Sequence, residues 1–131
     1  RQIGEGAIHN FIVSALKNEP LIIHQPGSQI RSWCYVDDAV DAVEKILETG
    51  KSEGEVFNIG NPEATSTTLQ TAETVKRISN SKSKIEFKEL KYPEVNIRVP
   101  SIEKARRILG FNPKVGLEEG IKRTIEWYKD H

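Results

Sequence analysis

The chain has no methionine and only one cysteine, Cys34, among its 131 residues. A single cysteine cannot form an internal disulfide, which is compatible with a reducing compartment, and we expect the protein to be cytoplasmic. The sequence opens on an arginine rather than a methionine, so we also expect a piece of a longer protein. Cys34 belongs to an aromatic and β-branched run, and we interpret it as a small buried apolar residue rather than a catalytic thiol.

The sequence also has no net charge of either sign. Lys plus Arg equal Asp plus Glu, at 19 each, so no net field favours nucleic acid or an anionic membrane. The longest apolar runs, such as Phe11–Val13 and Leu21–Ile23, are far too short to span a bilayer, and no signal-peptide pattern opens the chain. We therefore expect neither a nucleic acid nor a membrane as a partner.

Common catalytic and cofactor motifs are absent as well. The three histidines, His9, His24 and His131, lack the short paired spacing of zinc motifs, and one cysteine adds little. No glycine-rich loop joins a strand to a helix, because no strand precedes the pair Gly4 and Gly6. No tyrosine is followed four residues later by a lysine. We predict no catalytic residue and no metal site in this chain.

The hydrophobic periodicity of the sequence indicates mixed helices and strands. We expect helices over residues 6–17, 37–48, 67–78, 101–109 and 117–128, and strands over residues 21–24, 31–36, 55–59 and 84–90. This order argues for an α/β fold. Prolines mark residues 91–100 as a loop.

The helix predicted at residues 37–48 carries three further expectations. Asp37 or Asp38 can accept the first free backbone N–H groups as an N-cap, which we favour over a catalytic acid–base pair. Gly50 is placed to end the helix in the left-handed region. The apolar residues recur at helical spacing and are expected to form a buried stripe, made of Ala39, Val40, Val43, Ile46 and Leu47.

Arg31 is the first candidate for a functional residue. It opens a predicted strand directly after the turn formed by residues 27–29. A guanidinium at this place can fork onto two phosphate oxygens. On composition alone, a surface arginine paired with Asp37 or another acid is the simpler interpretation.

Four other polar residues are candidates, each with a structural alternative. Asn58 lies inside the apolar run 56–59, where an amide either satisfies neighbouring backbone groups or faces a ligand. Arg98 is either a solvated charge of the proline-bounded loop or an anion contact. His24, at the end of a strand, is either a partly buried histidine or a ligand contact. Asn10 follows the start of a helix and can serve local backbone donors.

Four segments together resemble the extended short-chain dehydrogenase/reductase family, in its NAD-dependent epimerase/dehydratase branch that modifies nucleotide sugars. The segments are residues 24–38 (HQPGSQIRSWCYVDD), 57–61 (FNIGN), 101–113 (SIEKARRILGFNP) and 117–128, which resembles the closing helix of the family. Their order matches that of the family, and they cover nearly the whole chain. The resemblance is nearest to UDP-glucuronate decarboxylases, followed by dTDP-glucose 4,6-dehydratases and UDP-sugar 4-epimerases.

The resemblance implies that five residues contact the substrate. Arg31 matches the arginine that binds the nucleotide diphosphate, and His24 matches a position, usually tyrosine, beside the nucleoside. Asn58 matches an asparagine of the substrate-contacting strand, and Asn10 matches a helix-start asparagine near the nucleotide. Arg98 falls near a second phosphate-binding arginine, although the prolines around it are spaced more widely than in the family pattern.

The resemblance also implies the fold and the cofactor. Residues 1–131 correspond to the C-terminal substrate-binding portion of an extended Rossmann-type dehydrogenase, without the N-terminal dinucleotide-binding half. The NAD motif and the catalytic tyrosine and lysine of the family lie upstream of the matched segments. We therefore expect NAD to be bound by the absent half and the chain to be inactive alone. The alternative is a non-catalytic nucleotide-sugar-binding or interaction module that retains this half of the fold.

A last expectation concerns association. In the family, the strand at 56–60 and the helix at 37–48 belong with the NAD-binding sheet. Without that sheet they would expose apolar surface and unpaired strand edges. We therefore expect this chain to self-associate or swap elements, and the full-length enzyme to be a homodimer.

Overall fold

The computed structural model describes residues 6–89, 91 and 93–131. Its helices are α1 (Ala7–Leu16), α2 (Val36–Glu48), α3 (Thr68–Ser79), α4 (Glu103–Leu109) and α5 (Leu117–Asp130). Its strands are β1 (Leu21–His24), β2 (Ile30–Ser32), β3 (Thr65–Thr67), β4 (Ile85–Lys88) and β5 (Ile97–Arg98). The α/β class is confirmed. Within the described residues, no helix has the length and apolar character that crossing a membrane requires.

The strands form two small sheets. β1 and β4 pair in parallel, with Leu21 opposite Ile85 and His24 opposite Lys88. The other sheet has three strands in the order β3-β2-β5. By contact density the chain divides into two compact units. The first contains the described parts of Arg1–Arg31, Ser66–Ile97 and Ile121–His131, and the second contains Ser32–Thr65 and Arg98–Gly120.

The first unit is built around the β1–β4 pair. α1 packs against α3, and both helices contact β1. Thr67 begins α3 with a capping box, since its side chain accepts a hydrogen bond from the Gln70 backbone while the Gln70 side chain accepts one from the Thr67 backbone. The buried apolar residues of this unit are Phe11, Ile12, Ala15, Leu21, Ile23, Ala72, Val75, Ile121 and Ile125. Their burial fixes β1, whose end leads into the turn that carries the candidate site.

The second unit has its own apolar cluster, in which α2 contacts α4. Its buried members are Ala42, Ile102, Ala105, Leu109 and Phe111, with Ile46, Phe57, Ile59 and Ile108 packed around them. Gly110 ends α4 with a positive φ of 65°, as a C-terminal glycine commonly does. The Lys104 ammonium pairs with Glu55 at 2.5 Å and lies 5.2 Å from the centroid of the Phe57 ring.

The predicted strand at residues 55–59 is wrong. Those residues have no strand assignment, and Val56 is 81% exposed. A strand exists only when a neighbour supplies the ladder hydrogen bonds, and no described segment does so here. The sequence also missed β3 and β5, which are only three and two residues long.

The predicted buried stripe of α2 is also wrong. Val40 and Val43 are at least half exposed and Leu47 is 80% exposed, while the buried residues of this helix are Asp38 and Ala42. The apolar periodicity is real, but no described element covers that face. The other expectation, that apolar surface of this helix and of the 55–59 segment is exposed, is confirmed.

The N-cap prediction at Asp37 or Asp38 is wrong too. Tyr35 is the N-cap of α2, and it makes no side-chain cap hydrogen bond. Asp37 and Asp38 both lie in the first helical turn, where negative charge favours the helix dipole. Gly50 is not a left-handed terminator, because Thr49 caps the helix with extended backbone.

Three remaining predictions are corrected or limited by the structure. The strand expected at residues 31–36 covers only Ile30–Ser32, because the chain enters α2 at Val36. Cys34 lies beyond this short strand and is exposed rather than buried. The strand expected at 84–90 is confirmed as β4, but its predicted last residue lies outside the described residues, as do Gly4 and Glu5.

Candidate functional site

The turn between β1 and β2 contains a glycine that no other residue can replace without strain. Gly27 has a φ of 81°. A Cβ atom at this position would also lie 3.0 Å from Cε1 of Phe87 and 3.1 Å from Cγ2 of Ile23. Glycine therefore meets both the conformational and the steric requirement of this turn.

Backbone hydrogen bonds fix this turn from three sides. The N–H of Gln25 donates to the carbonyl of Lys88 at 2.9 Å, and the N–H of Ile30 donates to the carbonyl of Asn96 at 2.7 Å. The first amides of α3, at residues 68 and 69, donate to the carbonyls of Gln29 and Gly27. The residues that follow the turn, above all Arg31, are therefore held by the fold rather than by a free loop.

Arg31 lies in β2 with its side chain only 14% exposed. Its Nη1 donates to the carbonyl of Ile30 at 2.9 Å, and its Nη2 donates to Oε1 of Glu94 at 2.7 Å. The partner is thus an acid, as the simpler sequence interpretation had it, but it is Glu94 and not Asp37. The charge of the Arg31 guanidinium is therefore neutralised by one acid, Glu94.

Gln29 completes this cluster. Its Nε2 donates to Oε2 of Glu94 at 3.1 Å, to the carbonyl of Gln25 at 3.1 Å and to the carbonyl of His24 at 3.4 Å. All three partners are acceptors, so the amide nitrogen must face them. Gln29 is 3% exposed, and its Oε1 is buried without a partner among the described residues.

A cavity of about 330 Å³ opens beside this cluster. Its lining comes from the turn and from the segment between β4 and β5: Gln25, Pro26, Gln29, Glu89, Pro93, Glu94 and Asn96. Amide groups and carboxylates dominate the lining, and prolines supply its apolar part. Such a surface suits a polar ligand that offers both donors and acceptors, and Arg31 pairs with one of its lining residues, Glu94.

The five residues predicted from the sequence are not all in this cluster. Arg31 and His24 flank the same turn, but His24 is exposed and only its backbone carbonyl joins the cluster. Asn10 is an exposed residue of α1 in the first unit. Asn58 and Arg98 are exposed residues of the second unit, so the buried amide expected at Asn58 is not observed.

Sequence reasoning missed Glu94 and Gln29. Gln29 lies in the segment that carries the family resemblance, and its position between the turn and Arg31 was a usable signal. Glu94 is one acid among many, in a segment without periodicity and 63 positions from its partner. Only the folded chain shows that its carboxylate meets Arg31.

Two strand-to-helix connections lack the glycines of a dinucleotide-binding turn. β3 is followed directly by α3, and β2 is joined to α2 by residues 33–35. Neither connection contains glycine. A dinucleotide-binding turn needs glycines there so that the backbone can approach the pyrophosphate. Among the described residues, no three His, Cys, Asp or Glu side chains are grouped for a metal ion.

The surroundings of Cys34 disfavour its thiolate form. Partial burial, followed by the negative charge of Asp38, raises the pKa of the Cys34 thiol above its ordinary value. Nucleophilic cysteines need the opposite shift, since the thiolate is the reactive form. The preference for a non-catalytic cysteine therefore remains, although its predicted burial was wrong.

A family model and a curated relative both match most of this chain. The family model described as GDP-mannose 4,6 dehydratase matches residues 1–124. UDP-glucuronic acid decarboxylase 3 of Arabidopsis thaliana is 42% identical over 122 residues, which are 93% of this chain and 35% of that protein. The chain thus spans about a third of the length of this relative.

Solved structures agree with the sequence relatives. A UDP-glucose 4-epimerase from Thermotoga maritima, solved with UDP-glucose, matches with a TM-score of 0.90 and 33% identity over 98% of this chain and 41% of its own. A UDP-glucuronic acid 4-epimerase from Bacillus cereus, solved with UDP-glucuronic acid and NAD, matches with a TM-score of 0.91 and 30% identity over 99% of this chain and 41% of its own. The chain therefore belongs to the epimerase/dehydratase family that the GDP-mannose 4,6 dehydratase model describes.

Proposed function

We propose that this chain is the nucleotide-sugar-binding part of an NAD-dependent epimerase/dehydratase. The complete enzyme acts on a UDP- or dTDP-sugar, by epimerisation, dehydration or decarboxylation through a transient 4-keto intermediate. The observation that carries the proposal is Arg31, whose side chain is 14% exposed and pairs with Glu94, a residue that lines a polar cavity of about 330 Å³. The relatives support it, because their names include decarboxylases and epimerases of UDP-sugars.

In this proposal Arg31 binds the diphosphate of the substrate. A guanidinium offers paired N–H donors in a plane, which match two phosphate oxygens at once. The rigid turn after β1 orients Arg31, so little side-chain entropy is lost when the anion binds. His24, Asn58, Arg98 and Asn10 are proposed as additional substrate contacts.

We place NAD on a portion of the enzyme other than this one. Bound NAD supplies hydride transfer to and from the sugar, and the connections from β2 to α2 and from β3 to α3 lack the glycines that would hold it. The chain by itself is accordingly proposed to be inactive. Incubating it with NAD and UDP-glucuronic acid should give no product and no NADH absorbance, and turnover above a heat-denatured blank would refute this point.

The exposed apolar face of α2 supports a further part of the proposal. The isolated chain self-associates or exchanges elements through this face, and the complete enzyme is a homodimer. Four residues of this face follow a spacing of four, three and four, which places them on one side of the helix: Val36, Val40, Val43 and Leu47.

The proposal is tested by measuring UDP binding to the chain by titration calorimetry. Arg31→Ala should weaken binding by roughly 1.5–3 kcal/mol, because a charge-assisted contact to the diphosphate is lost. Arg106→Ala is the matched control, since it removes the same charge from an exposed arginine of α4 and should leave the affinity unchanged. Equal affinity of wild type and Arg31→Ala would remove Arg31 from the site.

A further inference from the structure

The carboxylate of Glu94 bridges the two polar side chains that flank Ile30. Its Oε1 accepts from Nη2 of Arg31 at 2.7 Å, and its Oε2 accepts from Nε2 of Gln29 at 3.1 Å. Resting on the proposed function, we infer that Glu94 is an internal counter-ion of the phosphate site. It occupies the anion-binding edge of Arg31 when no ligand is bound, and the diphosphate of the ligand takes its place.

Two of the terminal nitrogens of Arg31 already donate to protein groups. Nη1 already donates to the carbonyl of Ile30 at 2.9 Å, and Nη2 is used by Glu94. A phosphate that enters with Glu94 in place would meet a neutralised guanidinium and a carboxylate of its own charge. Glu89 lines the same cavity and adds a second negative charge. Binding a diphosphate is therefore more favourable when Glu94 releases Nη2, because the competing carboxylate is then removed from Arg31.

Release of Glu94 leaves both hydrogens of the Gln29 amide with an acceptor. Nε2 of Gln29 carries two hydrogens but has three acceptors within hydrogen-bond distance. After Glu94 leaves, the carbonyls of His24 and Gln25 still accept both hydrogens. The Glu94 side chain is 36% exposed, so its carboxylate can be hydrated where it stands.

The exchange also gives the site selectivity by charge. The Glu94 side of the pair is 36% exposed and its charge is screened by water, so a ligand phosphate with more negative charge than one carboxylate displaces it. A ligand with a single negative charge is attracted to Arg31 no more strongly than the Glu94 carboxylate is. The cluster thus favours diphosphates over singly charged ligands, and Gln29 is the positioning residue that holds the counter-ion in reach of Arg31.

The test is a set of calorimetric titrations with UDP and with uridine, which shares the base and ribose but has no phosphate. Glu94→Gln should bind UDP about two- to fivefold more tightly than wild type, because the competing charge is gone. Uridine binding should not change. Glu89→Gln is the matched control, because it removes the same charge from another exposed residue of the cavity that makes no recorded contact with Arg31.

The double variant Arg31→Ala/Glu94→Gln decides whether Glu94 acts through Arg31. In the Arg31→Ala background, Glu94→Gln should no longer improve UDP binding, a coupling that a merely structural role would not produce. If wild type binds UDP and Glu94→Gln binds it equally or more weakly, the counter-ion inference is overturned while the proposed function stands. If Glu94→Gln and Glu89→Gln tighten binding equally, the effect is general charge and the inference is likewise overturned. If neither wild type nor Glu94→Gln binds UDP, both proposals fail.

Discussion

Asp38 holds Val115 across 77 positions of the chain: its Oδ2 accepts a hydrogen bond from the Val115 backbone N–H at 3.0 Å. Its Oδ1 accepts from the N–H of Lys114 at 2.8 Å, and the Asn61 amide donates to the carbonyl of Val115 at 3.0 Å. The backbone of residues 114 and 115, just before α5, is thereby fixed within the second unit by two side chains. Asp38 is 5% exposed, so it is a buried carboxylate with a structural role, and it is not the N-cap of α2.

Asp38→Asn should destabilise the chain by about 1–3 kcal/mol, measured by urea unfolding. The new amide nitrogen would face a backbone N–H donor, so one buried donor is left without an acceptor. Asp41→Asn, which loses only a partly exposed pair with Lys45 on the same helix, should cost no more than about 0.5 kcal/mol. Equal losses for the two variants would contradict the structural role of Asp38.

Gly60 and Gly50 should respond in opposite ways to the same substitution. A Cβ atom at Gly60 would lie 2.6 Å from Cγ of Pro100, so Gly60→Ala forces a shift and should cost about 1–3 kcal/mol. At Gly50 nothing lies within 4 Å and φ is not in the left-handed region, so Gly50→Ala should be neutral or stabilise slightly. Thermal denaturation of both variants checks this. A stable Gly60→Ala variant would show that the contact with Pro100 yields easily.

The apolar face of α2 should control self-association. Changing Val40, Val43 and Leu47 together to glutamine should lower the average mass in sedimentation velocity, because the buried apolar area that drives association is removed. Folding stability should change little, since these side chains are at least half exposed already. The control variant Glu44→Gln/Glu48→Gln alters exposed residues of the same helix and should associate like wild type. A wild-type chain that is monomeric at every concentration would contradict the proposal.

Alkylation of Cys34 should reach its half-maximal rate at a higher pH than that of an ordinary thiol. Partial burial and Asp38 raise the pKa of Cys34, so the thiolate fraction at a given pH is smaller in the folded chain. The measurement is the rate of iodoacetamide labelling against pH. The same chain in urea is the control, and its midpoint should move down. Identical midpoints in both states would refute the shift.

The candidate site was predictable only in part. Arg31 could be found because a turn, a strand and a familiar motif are all local features of the sequence. Glu94 could not be found, because its contact depends on how the segment between β4 and β5 returns to β2. Asn58 was placed in a buried strand because its neighbours are apolar, yet an apolar run is buried only if another element covers it.

The sequence by itself determined the five helices and the strands β1 and β4, because hydrophobic periodicity and backbone preference act over a few residues. It also determined the family, through motifs spread along the chain. Only the tertiary structure decided which acid neutralises Arg31, what Asp38 binds, and that residues 55–59 and the apolar face of α2 find no partner among the described residues. Those outcomes depend on which groups distant in sequence come into contact. A hydrogen bond or a buried surface forms only between two segments, so neither segment alone predicts it.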